Sequence, residues 1–350
     1  TLFVKTSSKK KRGTIHHVDL YGKREEKYAW LDAHDSSNTE WKTLDAPEPN
    51  YFFVPKDFGL ENEYQAMTSV CDIFSESNTG IQTKRDGLVY AFTKQELEKR
   101  IEDILRLSPA EIIAKFDLPA DGRDWTVTSA IEDVKQASNE LHEISYHPFD
   151  TRWTLYTGKT KGFMAYPRAP LMKSMLEKNI ALLCVRNARR GNVDSFFVAN
   201  RLIDKDAVSP FDNVKFFPLY LYPASSGAEE KSVNMNIDLL QPALEKLGMR
   251  FWNEEGSGMW HPESGPISDE DRSGVIGNTY GPQDVFDYIY AVLHSPTYRE
   301  RYKEFLKIDF PRIPFTSNKE LFWKLVSLGR ELRLIHLLES SALSVLITQY

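Results

Sequence analysis

Hydrophobic and polar positions change their pattern several times along this chain. Residues 1–45 read as an apolar strand (Thr1–Lys5), a Lys/Arg-rich turn (Lys9–Gly13), a second strand (Thr14–Tyr21) and a polar helix from about Lys23 to Ala33. That order suits the edge of an α/β sheet whose other strands lie elsewhere. Ala46-Pro47-Glu48-Pro49-Asn50 then punctuates the chain. From about 50 to 140 the reading is mainly helical, because Thr93, Ser108 and Ser129 each stand three residues before a carboxylate (Glu96, Glu111, Glu132), and Pro109 follows Ser108. A hydroxyl at the N-cap accepts the backbone N–H three residues on and the carboxylate reciprocates, while proline loses nothing at the first helical position.

From 146 to about 260 the period shortens to β-rich runs, Arg152–Tyr156, Ile180–Arg186, Ser195–Asn200 and Val214–Tyr222, separated by Gly, Pro and Asp. Pro218 inside the last run predicts an edge strand or a bulge, since it has no N–H for a ladder. After an acidic loop holding Glu263, Asp269, Glu270 and Asp271, helices return: one opened by Gly281-Pro282, one by Ser295-Pro296, and one capped by Ser317 with Glu320. Phe286, Tyr290 and Leu293 recur at helical spacing and predict a core-facing stripe. The expected class is therefore mixed α+β: a strand-hairpin remnant of an α/β sheet, a helical spacer or adaptor over 46–140, and a β-rich domain over 141–340 with a C-terminal helical part. Residues 341–350 are expected to begin a further segment. Because the chain opens without Met inside an apolar run and closes on apolar residues, it is expected to be a piece of a longer protein.

Composition changes this picture little until charge is localised. With 41% hydrophobic and 27% charged residues the chain reads as an ordinary soluble one, without a membrane-spanning run or a signal peptide. Cys71 and Cys184 lack metal-ligand spacing and are expected as free thiols in a reducing cytoplasm. Between Tyr146 and Arg201, however, ten Lys/Arg face three acids, so this stretch carries +7 within a chain of −6. Such a reversal, threaded with aromatics, predicts a surface for a polyanion, most plausibly nucleic acid.

The residue types there suggest a division of labour. Arg can pair bidentately with guanine, and Asn with adenine, which makes Arg186, Asn187, Arg189 and Arg190 the first candidates for base readout. Lys159, Lys161 and Arg168, around a glycine-containing turn, fit phosphate contacts. Arg152 is balanced between DNA contact and an ion pair with Asp150, and Lys84-Arg85 could reach the DNA backbone from the helical region. Lys9–Arg12 reads better as a solvated tip. No catalytic set is argued: His17 and Asp19 share a strand face with at most two metal ligands, and Cys184 packs.

Longer motifs add a resemblance. In this order the chain carries Gly22-Lys23-Arg24-Glu25-Glu26-Lys27-Tyr28, Gly80-Ile81-Gln82-Thr83-Lys84-Arg85-Asp86, Pro148-Phe149-Asp150-Thr151-Arg152-Trp153, Phe217-Pro218-Leu219-Tyr220-Leu221-Tyr222, and Tyr288 to Arg299 running on to Asp309-Phe310-Pro311-Arg312-Ile313-Pro314. The series resembles the C-terminal part of type ISP restriction-modification enzymes and related adenine-specific DNA methyltransferases. The resemblance implies that residues 1–45 end a methyltransferase domain and that most of the remainder is the target-recognition part, with double-stranded DNA and the upstream methyltransferase domain as partners. It implies S-adenosylmethionine in the parent chain. This chain has no Pro-Pro pair of the Asn/Asp-Pro-Pro-aromatic kind and no Phe-x-Gly-x-Gly loop, and its one Gly-x-Gly (Gly256-Ser257-Gly258) lacks a strand–turn–helix setting. No catalytic or cofactor residue is therefore assigned here. The rival readings are a protein-interaction module that docks a motor or partner subunit without reading DNA, and a nuclease acting alone.

Overall fold

The computed structural model describes residues 3, 13–46, 48, 51–138, 140–187, 194–223, 231–251 and 279–344. The chain divides into two compact units, Thr1–Glu61 and Asn62–Tyr350. In the first, β1 (Ile15–His17) pairs antiparallel with β2 (Lys42–Leu44), and α1 (Arg24–Ala33) stands between them in sequence. The helix lies where its polar pattern predicts, and no residue of it is buried. The strand expected at Thr14–Tyr21 is shorter. Its described partner is β2, and the Lys9–Arg12 turn lies outside the described residues.

The second unit is mixed α+β. Its strand β3 (Asn78–Thr79) leads into four helices, α2 (Asp86–Val89), α3 (Lys94–Arg106), α4 (Pro109–Lys115) and α5 (Val127–Gln136). Thr93 and Ser108 cap α3 and α4 as their spacing predicts, Ser108 in a full capping box with Glu111. The cap of α5 differs. Thr126, not Ser129, accepts the hydrogen bond, from the Ser129 N–H at 3.2 Å. The reason is tertiary: the neighbouring Trp125 is buried, its indole N–H donating to the Phe163 carbonyl at 3.1 Å, and this fixes where the chain turns into the helix.

The strands form two sheets that matter here. β4 (Leu141–His147) and β5 (Asp150–Leu155) make a hairpin with a register shift between Ser145 and His147. The second sheet contains β6 (Ala181–Val185) and β7 (Phe196–Ala199). β8 (Leu202–Ile203) adds parallel to β4, and β9 (Val214–Pro218) completes the second sheet in the order β3-β9-β6-β7. β9 is interior over Lys215 and Phe216, but Pro218 is its last residue, past the short pairing with β3, so the missing N–H breaks nothing on that side. One core, from Ile81 to Phe216, takes in Leu97, Ile101 and Val134 from the helices together with Ile144, Leu155 and Leu183 from the strands.

The C-terminal helices α6 (Pro282–His294) and α7 (Lys319–His336) pack on one another. Their contact is close because Gly329 lies against the Asp287 carbonyl, where a Cβ would collide. Beside it the Asp287 carboxylate receives both Arg333 Nε (2.6 Å) and an Nη (3.0 Å), with both residues buried. The last cap is Asn318, one residue past the predicted Ser317. Among the described residues, no helix is long and apolar enough to cross a membrane.

Candidate nucleic-acid interface

Two segments far apart in sequence meet through a short antiparallel bridge. The Gln82 N–H donates to the Tyr166 carbonyl (3.0 Å), the Tyr166 N–H returns to Gln82 (2.9 Å), and the Ala165 N–H donates to Thr83 (3.3 Å). This places the turn 83–86 beside the loop 157–168. Three cations on the joined turns hold left-handed backbone: Lys84 at φ 67°, Lys161 at 59° and Arg168 at 58°. Side chains with a Cβ rarely take such angles, and a rigid surround is needed to keep them there.

The surround is visible. Asp133, buried on α5, accepts the Thr157 hydroxyl and the Phe163 N–H, each at 2.7 Å, and the Lys159 N–H bonds in turn to Thr157 Oγ1 (3.2 Å). Gly162 lies so close to the Asp133 carboxylate that any side chain would displace it. The Lys161 N–H closes the turn on the Ala165 carbonyl (2.9 Å), and its ammonium reaches the Arg123 carbonyl (3.2 Å). Lys84, Lys159 and Lys161 are exposed.

Arg85 and Arg168 are half-buried behind these lysines. Arg85 stitches the turn together, donating to the carbonyls of Lys84 (2.8 Å) and Ala120 (2.9 Å) while its guanidinium sits 4.6 Å over the Trp125 ring. Arg168 sits 5.2 Å over Tyr166. In both, the buried Nε lacks a hydrogen-bond acceptor. A buried donor without an acceptor costs stability.

Arg152 is placed differently. Asp150 grips it through both oxygens (2.6 and 2.7 Å), and only 16% of its side chain is exposed. Arg186 and Asn187 are exposed just past β6, where Arg186 pairs with Asp309 at 3.0 Å. Arg189 and Arg190 lie outside the described residues. The sequence reading missed Arg123, whose side chain is 84% exposed and paired to Asp124, whose carboxyl that hydrogen bond holds down at about 2. It also missed Asp133 and Trp125, which carry no charge pattern of their own and act only through the loop they hold.

Residues 72–350 match the family described as the Type ISP C-terminal specificity domain. The chain belongs to that family. The ten candidate DNA contacts read from the sequence, Lys84 to Arg190, fall within the matched residues. Among solved structures, the domain is similar to one titled as a cryo-EM DrdV–DNA complex, with TM-score 0.61 and 20% identity over 89% of this chain and 29% of that one. It is similar to a nuclease-deletion mutant of the Type ISP restriction-modification enzyme LlaGI in complex with a DNA substrate mimic, with TM-score 0.61 and 19% identity over 94% and 24%. A third is the ATP-dependent Type ISP enzyme LlaBIII bound to DNA, with TM-score 0.57 and 18% identity over 85% and 18%. At such identities the likeness establishes the fold, and this chain spans between 18% and 29% of those chains. No curated protein matches it.

Proposed function

We propose that this specificity domain reads a DNA sequence on behalf of a restriction-modification enzyme. The observation that carries the reading is the joined pair of turns in which Lys84, Lys161 and Arg168 are held in left-handed backbone. That the similar structures are complexes with DNA supports it. On this reading Lys84, Lys159 and Lys161 hold phosphates and set the register, and Arg85 and Arg168 stiffen the turns that carry them. Arg186, Asn187, Arg189 and Arg190 are the base readers. Residues 1–45 are the end of an adenine-N6 methyltransferase domain, 46–140 an adaptor and 141–340 the reading part. The methyl donor S-adenosylmethionine belongs to that upstream domain, because this chain lacks the residues that would hold it.

Selection of bound duplexes from a random pool, followed by anisotropy titration, tests the assignment. Enrichment of a short motif is expected. Lys159→Ala should then weaken motif and scrambled duplexes alike, whereas Arg186→Ala should cost about 1–3 kcal/mol on the motif only. Equal losses on both duplexes would remove Arg186 from the readers, and a pool retained without enrichment would overturn sequence reading altogether.

A further inference from the structure

Close to the joined turns, one guanidinium contacts two aromatic rings, and one of those rings faces solvent. Phe92, just before the cap of α3, is 69% exposed. The Arg152 guanidinium lies 3.4 Å from the centre of that ring and 5.2 Å from the centre of the Tyr146 ring. The grip of Asp150 on both guanidinium nitrogens leaves Arg152 no freedom to leave the stack. The backbone is fixed as well: Ala91 and Trp153 exchange two N–H···O bonds (3.0 and 2.8 Å), and the Phe92 N–H donates to Glu96 (3.1 Å).

A scattered exposed hydrophobe signifies little. Phe92 differs because its inner face is occupied by a clamped cation, so its ring is held rigid in solvent. The stack is also continuous with the basic face. The Tyr146 hydroxyl donates to Asp86 (3.2 Å), whose other oxygen takes the Thr83 hydroxyl, and Thr83 and Asp86 bracket Lys84 and Arg85. Of the acids nearby, Asp150 is paired by Arg152 and Glu96 by Arg100, whereas Asp86 is held by the Tyr146 and Thr83 hydroxyls. A flat, rigid aromatic surface beside phosphate-holding lysines suits a nucleobase, since every base offers a π face whatever its sequence.

We propose that Phe92, backed by Arg152 and Tyr146, is a stacking platform for a nucleobase that has left the duplex stack next to the recognised sequence. This rests on the DNA-reading assignment above. The test uses two fluorescein-labelled duplexes of one sequence, one fully paired and one with a short central mismatch bubble. The chain should prefer the bubble by about tenfold, and Phe92→Ala should abolish that preference while leaving the paired duplex bound as before. Phe92→Trp should retain it and show fluorescence quenching on the bubble. Because the ring is exposed, the alanine variant should melt like the parent, which separates lost stacking from unfolding. A preference that survives Phe92→Ala, or none in the parent although both duplexes bind, overturns the platform; the latter result would leave Phe92 as a contact for protein. Binding of neither duplex overturns the DNA-reading assignment itself, and the platform with it.

Discussion

Folding strongly alters the chemistry of Asp204. It is buried, accepts the Tyr90 hydroxyl (2.7 Å) and the Asp206 N–H (2.8 Å), and faces the charges of Asp86 and Asp206. Burial, first, pushes its carboxyl from 3.8 up to about 7. The folded protein therefore binds a proton that the unfolded chain has released, and the stability linked to it is fully present below about pH 3.8 and lost as pH rises through about 7, on the order of 4 kcal/mol. His294 acts oppositely. Burial lowers it from 6.5 to about 4, so its contribution is present above pH 6.5 and lost on acidification. The two windows overlap and the two slopes oppose each other. Asp204→Asn should expose the histidine slope, its melting temperature dropping from pH 7 to pH 5 more steeply than the parent's. Identical pH profiles in circular-dichroism melts would show that Asp204 ionises normally in the fold.

At the scale of the element, the loop 157–168 depends on one helix. Asp133 reaches it from α5, and Gly162 is the only residue type that fits against that carboxylate. Gly162→Ala should displace Asp133, free the Phe163 N–H and the Thr157 hydroxyl inside the protein, and destabilise by about 2–4 kcal/mol. The same change should loosen Lys159 and Lys161, lowering affinity for any duplex even at temperatures where the variant stays folded. Chemical denaturation and anisotropy on one preparation would check both; full DNA affinity in a destabilised variant would show that loop geometry is irrelevant to binding. The packing of α6 on α7 follows similar logic, with Gly329 setting the approach and the Asp287–Arg333 pair holding it.

For the whole molecule the governing fact is a net charge of −6 around a local basic face. On the proposed reading, long-range attraction to DNA is weak and binding depends on contacts made by the cations themselves. If Lys84, Lys159, Lys161 and one arginine each neutralise a phosphate, the observed affinity should fall roughly a hundredfold between 50 and 200 mM salt. Each lysine-to-alanine change should flatten the logarithmic slope by about one. A slope near zero would show that binding does not proceed through phosphates.

The local features were legible in the sequence because they are encoded within a few residues. Thr93 and Ser108 cap their helices from side chains three positions away, Gly281-Pro282 opens α6, and the excess of cations between Tyr146 and Arg201 needs only counting. What lay beyond it depends on distant segments sharing a core. Thr126 rather than Ser129 caps α5 because Trp125 is buried under Phe163. Arg152 is bound inward because Asp150, Phe92 and Tyr146 surround it. Lys84 joins Lys161 and Arg168 only through the Gln82–Tyr166 bridge, which no local pattern announces. The sequence by itself therefore determined the element types, most helix starts and where positive charge concentrates along the chain. The tertiary structure decided which cations share a face and which are spent on holding it, because burial and backbone pairing between remote segments, not local propensity, select those neighbours.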